Sequence, residues 1–490
     1  MRFTLLFMVL LGMSCSLPSQ EDPVSLDFYK NYDGYREAGI TDRRFKHRDI
    51  VDILDDLPAA FRQKQVGTSV EGRSIHLVSI GEGPIDVLLW SQMHGDEPTA
   101  TMAIMDLFRF FSADDNANDF RTQILGACTF HFIPMLNPDG AERFQRRNAM
   151  GVDLNRDALR LQNPEARTLK QVRDSLEPEW GFNLHDQSRY YSAGYQEELA
   201  SISFLAPAFD YKKTISKKRE DAMQLIGYMN RRLQQLIPDQ VGKYSDAFEP
   251  RAFGDNIQKW GTRTILIETG GMEGDPEKQE LRRLNFVILL KAFEGIATGR
   301  YESVPRGEYQ NLPFNNYGAF DDLKLRNLTV NREGNAYLLD LALRRQEMEY
   351  NNHRDWYPRG SIVDIGDLST SFAYVDIDAE GLEAVPGQVY PQAFSHPDQV
   401  LNLNLWDLVQ QGYLAFRLTG PVPNEARYHQ LPIKLLGGDQ PYQNDIQIGG
   451  NPTLMLKRGD QVEHLLVNGY LYNVQRGVTD FQVYLDGPDR

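Results

Sequence analysis

The 490-residue chain has just two cysteines, Cys15 and Cys128. Cys15 lies in an N-terminal stretch that reads as removable, so the mature protein has no disulfide framework and its stability must come from burial. Basic residues are also in deficit: 52 Lys and Arg stand against 68 Asp and Glu, a net charge of −16. That balance argues against a nucleic-acid partner and against general attraction to anionic membranes. Long apolar runs are missing too, so no transmembrane helix is expected; the run Phe3 to Leu11 is too short to span a bilayer.

That short run follows Arg2 and leads into Gly12-Met13-Ser14-Cys15, the layout of a secretory signal. The position of Cys15 resembles a bacterial lipoprotein signal, in which the cysteine becomes a lipidated N-terminus. Gly12 stands where such signals usually carry Leu, so cleavage near Ser14 to Ser19 is the alternative. An exported protein is expected: periplasmic, anchored to the outer membrane through Cys15, or extracellular.

The length calls for more than one hydrophobic core. Residues 1–20 read as the signal and 21–303 as a first folded unit. Residues 304–318 read as a Pro-, Asn- and Gly-rich connector, and 319–490 as a β-rich accessory unit. Within the first folded unit, apolar strand-length runs alternate with helical patterns, the rhythm of an α/β domain whose mostly parallel sheet is flanked by helices. Strands are expected at Ser74 to Ile80, Ile85 to Trp90, Cys128 to Met135, Phe182 to His185 and Thr264 to Ile267. Helices are expected at Thr99 to Phe111, Pro164 to Leu176, Ser216 to Leu236 and Pro276 to Ala297. Beyond residue 318 helix signals are few outside Tyr337 to Tyr350, and Asn468-Gly469 marks a hairpin between two alternating runs.

Chemistry gathers at strand ends. His94-Gly95-Asp96-Glu97 follows the run that ends at Trp90, and His185 closes a second run. Two histidines and a carboxylate match what zinc accepts at a catalytic site that keeps one position open. His-x-x-Glu alone is weak, because most such pairs are solvated or structural. His-Glu-x-x-His does not occur, which excludes a thermolysin-like zinc peptidase.

The order His94-Gly-Asp-Glu97, Asn137-Pro-Asp-Gly140, Gly151-Val-Asp-Leu-Asn-Arg156 and His185-Asp-Gln187 resembles the carboxypeptidase A-type zinc carboxypeptidases over roughly residues 65–300. The resemblance implies one Zn2+ per chain on His94, Glu97 and His185. It implies Glu268 as general base at the end of the Thr264 to Ile267 run, and Arg146 as the cation that stabilises the oxyanion. Asn155 and Arg156 would hold the substrate's terminal carboxylate, and Asp153 would orient a zinc-bound histidine. Tyr244 is the candidate for a closing-loop tyrosine, although Phe248 lies nearer the expected position. The implied activity is removal of the C-terminal residue from peptide substrates. Two hydrolytic alternatives stand beside it: a zinc amidohydrolase of the aspartoacylase or succinylglutamate desuccinylase type, and a hydrolase of cell-wall peptides. A non-catalytic binding module would not need a base beside the metal.

Overall fold

The computed structural model describes residues 28–474 and the backbone of 482–484; the expected export signal and Cys15 lie outside the described residues. The first half of the chain builds an eight-stranded mixed sheet. Its strands are β1 (Arg62–Thr68), β2 (Ser74–Ile80), β3 (Ile85–Trp90), β4 (Cys128–Ile133), β5 (Trp180–Asp186), β7 (Ile202–Leu205), β8 (Val241–Lys243) and β9 (Arg263–Thr269), in the order β1-β2-β4-β3-β5-β9-β7-β8. The chain leaves β3 for β4 on one side and returns to place β5 on the other. β3 pairs in parallel with both. The crevice at the carboxyl ends of β3 and β5 is therefore the switch point where α/β sheets collect ligands.

Burial on both faces explains the near-continuous apolar strands. In β3, Val87 and Leu89 enter a core shared with helices α2 (Thr99–Ser112), α6 (Lys217–Leu236) and α8 (Gln279–Thr298). Leu88 and Trp90 enter a second core with Leu169 and Val172 of α5 (Pro164–Leu176) and Phe253 and Ile257 of α7 (Phe253–Lys259). The same half also holds α1 (His47–Asp55), α3 (Asn118–Ala127) and α4 (Pro138–Glu142). α8 starts at Gln279 rather than Pro276 because the Asp275 carboxylate accepts hydrogen bonds from the backbone N–H groups of Gln279, Glu280 and Leu281. The β9 strand runs two residues past Ile267, which places Glu268 inside it.

The 304–318 stretch is anchored. Val304, Tyr309 and Leu312 are buried in the core of the first half, and β10 (Asn315–Tyr317) pairs with β6 (Tyr191–Ala193). The second half of the chain is β-rich, as expected, with a nine-stranded and a three-stranded sheet. Its first strands are β11 (Phe320–Arg332), β12 (Asn335–Tyr350) and β13 (Asp355–Gly366). The helix signals at Tyr337 to Tyr350 are overturned, because this segment is a single long strand paired on both sides. Leu341 and Leu343 point into the accessory core at a period of two, and that burial overrides the helix preference of the Arg, Gln and Glu residues that follow. The Asn468-Gly469 hairpin forms as read, with φ of 52° and 76° at the two turn positions and Val467 opposite Tyr470.

Candidate metal centre and active site

The backbone after β3 is shaped to present two side chains. Gln92 turns the chain in the left-handed region (φ 43°), and its side-chain amide donates to the carbonyl of Gly95 at 3.0 Å. Gly95 lies flat against Gly140: a Cβ at Gly95 would sit 2.0 Å from the Gly140 carbonyl carbon, so the close approach requires glycine at 95, while a Cβ at Gly140 would meet the Asn137 amide at 2.4 Å. Asn137 fastens the two segments, donating its backbone N–H to the Gln92 carbonyl (2.9 Å) while its side-chain oxygen caps Gly140 (3.0 Å). The Asn137-Pro-Asp-Gly140 motif thus serves as the buttress of the His94–Glu97 loop.

His94, Glu97 and His185 are buried and converge so that their ligand atoms lie within 4.8 Å of one another, the group among the described residues whose donors meet closely enough for a metal. The two Glu97 oxygens stand 2.7 Å from His94 Nδ1 and 2.6 Å from His185 Nδ1. The two Nδ1 atoms are 3.2 Å apart. Two imidazole nitrogens and one carboxylate facing a common point are a donor set that fits Zn2+. Burial alone would raise Glu97, but His94 and His185 hold it well below the usual carboxylate range. Burial would likewise lower His94, and it is outweighed by Glu97 and by the Asp153 hydrogen bond, which hold the imidazole up at about 9. Such a site attracts positive charge.

Asp153 organises three neighbours at once. Its Oδ1 faces His94 Nε2 at 3.1 Å and accepts from the backbone N–H of Asn155 at 2.9 Å; its Oδ2 accepts from Arg146 Nε and Nη2 at 3.2 and 3.0 Å. With Nε2 engaged, His94 is left with Nδ1 for a metal. Arg146 also reaches Glu97 Oε1 at 3.2 Å, whereas Arg147 turns away to the Gly151 carbonyl. Of the two arginines, Arg146 is the one whose guanidinium stands at this centre.

Glu268 is brought beside the centre by strand register. β5 and β9 are parallel neighbours in which His185 pairs with Glu268, so the two side chains stand next to each other on one face. Burial is the main reason that its carboxyl is raised well above the ordinary value, with the charges of Glu97 and Asp186 adding to it. Tyr244 joins this group. Its phenol is raised by burial and by the Glu268 charge, and its ring lies 5.7 Å from that of Tyr191. Phe248 instead packs edge-on against Tyr211.

Asn155 and Arg156 sit a step further along. The Asn155 side-chain oxygen accepts from the backbone N–H of Phe253 at 2.8 Å, leaving its NH2 group as the donor. Arg156 is exposed, 3.6 Å from Glu249. Sequence reasoning missed Asp186, whose Oδ2 accepts from the Thr99 hydroxyl (2.7 Å) and faces Lys278 Nζ (3.2 Å), tying the end of β5 to the helix that follows Glu97. Its place directly after His185 was the available signal. It also missed the residues of β12 that reach the cleft, for which no local pattern exists.

Residues 48–225 match the family model described as zinc carboxypeptidase. The chain is 28% identical to the human carboxypeptidase N catalytic chain over 144 residues, covering 24% of this chain and 31% of that one. It is 24% identical to mouse carboxypeptidase D over 157 residues, covering 29% and 11%. A solved metallo-carboxypeptidase from Burkholderia cenocepacia superposes with a TM-score of 0.42 at 17% identity, over 52% of this chain and 70% of that one. The similarity to zinc carboxypeptidases lies in the first half of the chain, where the candidate centre is built. The matched stretch spans less than a third of these two curated relatives' own length. Among the described residues no helix is long and apolar enough to cross a membrane.

Proposed function

We propose that the protein is a zinc-dependent metallocarboxypeptidase that removes C-terminal residues from peptides. The observation that carries this reading is the placement of Glu268 beside His185 across the β5–β9 pair, with His94, Glu97 and His185 converging on one point. One Zn2+ held by those three residues would supply Lewis acidity and an acidified water. Glu268 takes the proton of the attacking water and passes it to the leaving amine, a task that suits a carboxyl raised by its surroundings. Arg146 offers its guanidinium to the negative charge that develops on the scissile carbonyl oxygen. Asn155 and Arg156 hold the terminal carboxylate through an amide NH2 and a guanidinium, and Tyr244 closes over the terminal residue. In this reading the catalytic unit spans residues 21–303 and the β-rich unit begins at 319. The leader supports export, with Cys15 as the residue a lipid anchor would use.

Replacing Glu268→Gln tests the assignment. Turnover is expected to fall by about 100-fold or more, in the range general acid–base groups contribute, while zinc content stays at one per chain. A variant that kept near-normal turnover would remove Glu268 from the mechanism.

A further inference from the structure

The cleft beside the candidate metal centre has a wall that the catalytic unit does not supply. The cleft encloses about 550 Å³, a size that holds a small ligand or a short stretch of peptide. It is lined by Glu97 and Arg146 and also by Gln346, Glu347 and Glu349 of β12. Two residues of the N-terminal arm fix that strand in place. Arg43 pairs with Glu347, and Arg44 reaches Glu347 at 2.6 Å and Glu349 at 3.0 Å with its guanidinium stacked 3.9 Å from the Phe144 ring.

The charges of this wall are already met. Glu347 and Glu349 are paired with the two arginines, and Asp186 with Lys278. Gln346 differs: it is exposed at the cleft, and its side-chain amide makes no hydrogen bond among the described residues. An amide offers both a donor and an acceptor, which is what a peptide backbone presents in return. Asn155, Arg156 and Tyr244 do not line this cleft. Glu97 and Arg146 do line it, so a peptide with its terminal carboxylate at Asn155 and Arg156 and its last peptide bond at Arg146 has this cleft open to its preceding residues, at roughly 3.3–3.6 Å per extended residue.

Resting on the carboxypeptidase reading, we propose that β12 of the accessory unit forms the subsite for the residues upstream of the scissile bond, with Gln346 contacting their backbone. The substrates are peptides with several residues before the cleaved bond, chosen by upstream length rather than upstream charge.

The test compares kcat/KM for an acetylated dipeptide and an acetylated pentapeptide that end in the same two residues, using the full chain. Wild type is expected to favour the pentapeptide. In Gln346→Trp, which fills the subsite, the pentapeptide-to-dipeptide ratio is expected to drop by about tenfold, the scale of one disturbed binding contact; Gln346→Ala should lower it by less. A ratio that is the same in wild type and both variants overturns the inference and leaves the carboxypeptidase reading standing. A wild type that cleaves neither peptide, nor any other from its C-terminus, overturns both.

Discussion

Asp153 touches His94, Arg146 and the backbone of Asn155 with two oxygen atoms. From sequence, a turn-capping aspartate and a histidine-orienting one are hard to tell apart; here the same oxygen, Oδ1, faces both partners. The motif Gly151 to Arg156 was legible as a unit, but the sharing was not, because it depends on how three segments meet. Replacing Asp153→Asn keeps the shape and weakens the grip on the His94 ring. Zinc affinity is expected to fall about 10- to 100-fold, the usual cost of losing such an outer partner, measured by competition with a chelating dye. Unchanged affinity would make the contact incidental. The sequence offered Arg146 and Arg147 side by side, and the pairing of Arg146 with Asp153 and Glu97 is a difference between them that no local pattern carries.

At the level of elements, the eight-stranded sheet was readable because its central strands are buried on both faces and carry their apolar character locally. The loops after β5 and β9 were not, since what shapes them comes from the distant accessory unit. The Tyr374 hydroxyl donates to the Arg189 carbonyl at 2.7 Å, and Arg189 pairs with the fully buried Asp322 at 3.0 Å. The loop after Glu268 fits beneath them only as glycine: a Cβ at Gly271 would lie 2.3 Å from the Tyr374 hydroxyl and 2.7 Å from the Arg189 Cβ. Gly271→Ala is therefore expected to cost about 1–3 kcal/mol by overpacking, read as a lower denaturant midpoint. It should also lower kcat by moving the strand end that holds Glu268. A variant with wild-type stability would show that this contact is loose. The misread segment at β12 has the same origin, because its strand pairing is long-range and its sequence favours helix.

For the whole molecule, the same arm and hairpin that wall the cleft also join its halves. Arg43 and Arg44 meet Glu347 and Glu349, Arg354 pairs with Asp49 at 3.0 Å, and the Trp356 indole donates to Glu277 at 3.0 Å. None of this was legible, since salt bridges between residues some 300 positions apart leave no local trace. Burial would raise the Glu347 carboxyl, but Arg43 and Arg44 outweigh it and hold it below its ordinary value. A carboxylate lowered in the folded state stabilises above its unfolded pKa, and that stabilisation disappears as pH falls through the lowered value. Glu347→Gln is thus expected to lose about 2 kcal/mol at neutral pH, between an exposed and a buried pair. The difference from wild type should shrink below about pH 4, as followed by thermal melting across pH; a difference that grows on acidification would contradict the clamp. The central claim is that zinc on His94, Glu97 and His185, with Glu268 beside it, removes residues from peptide C-termini. The most direct measurement is zinc content together with mass spectrometry of a mixed peptide library, with and without a chelator. Bound zinc and chelator-sensitive loss of single C-terminal residues are predicted; bound zinc with every peptide intact would contradict the claim.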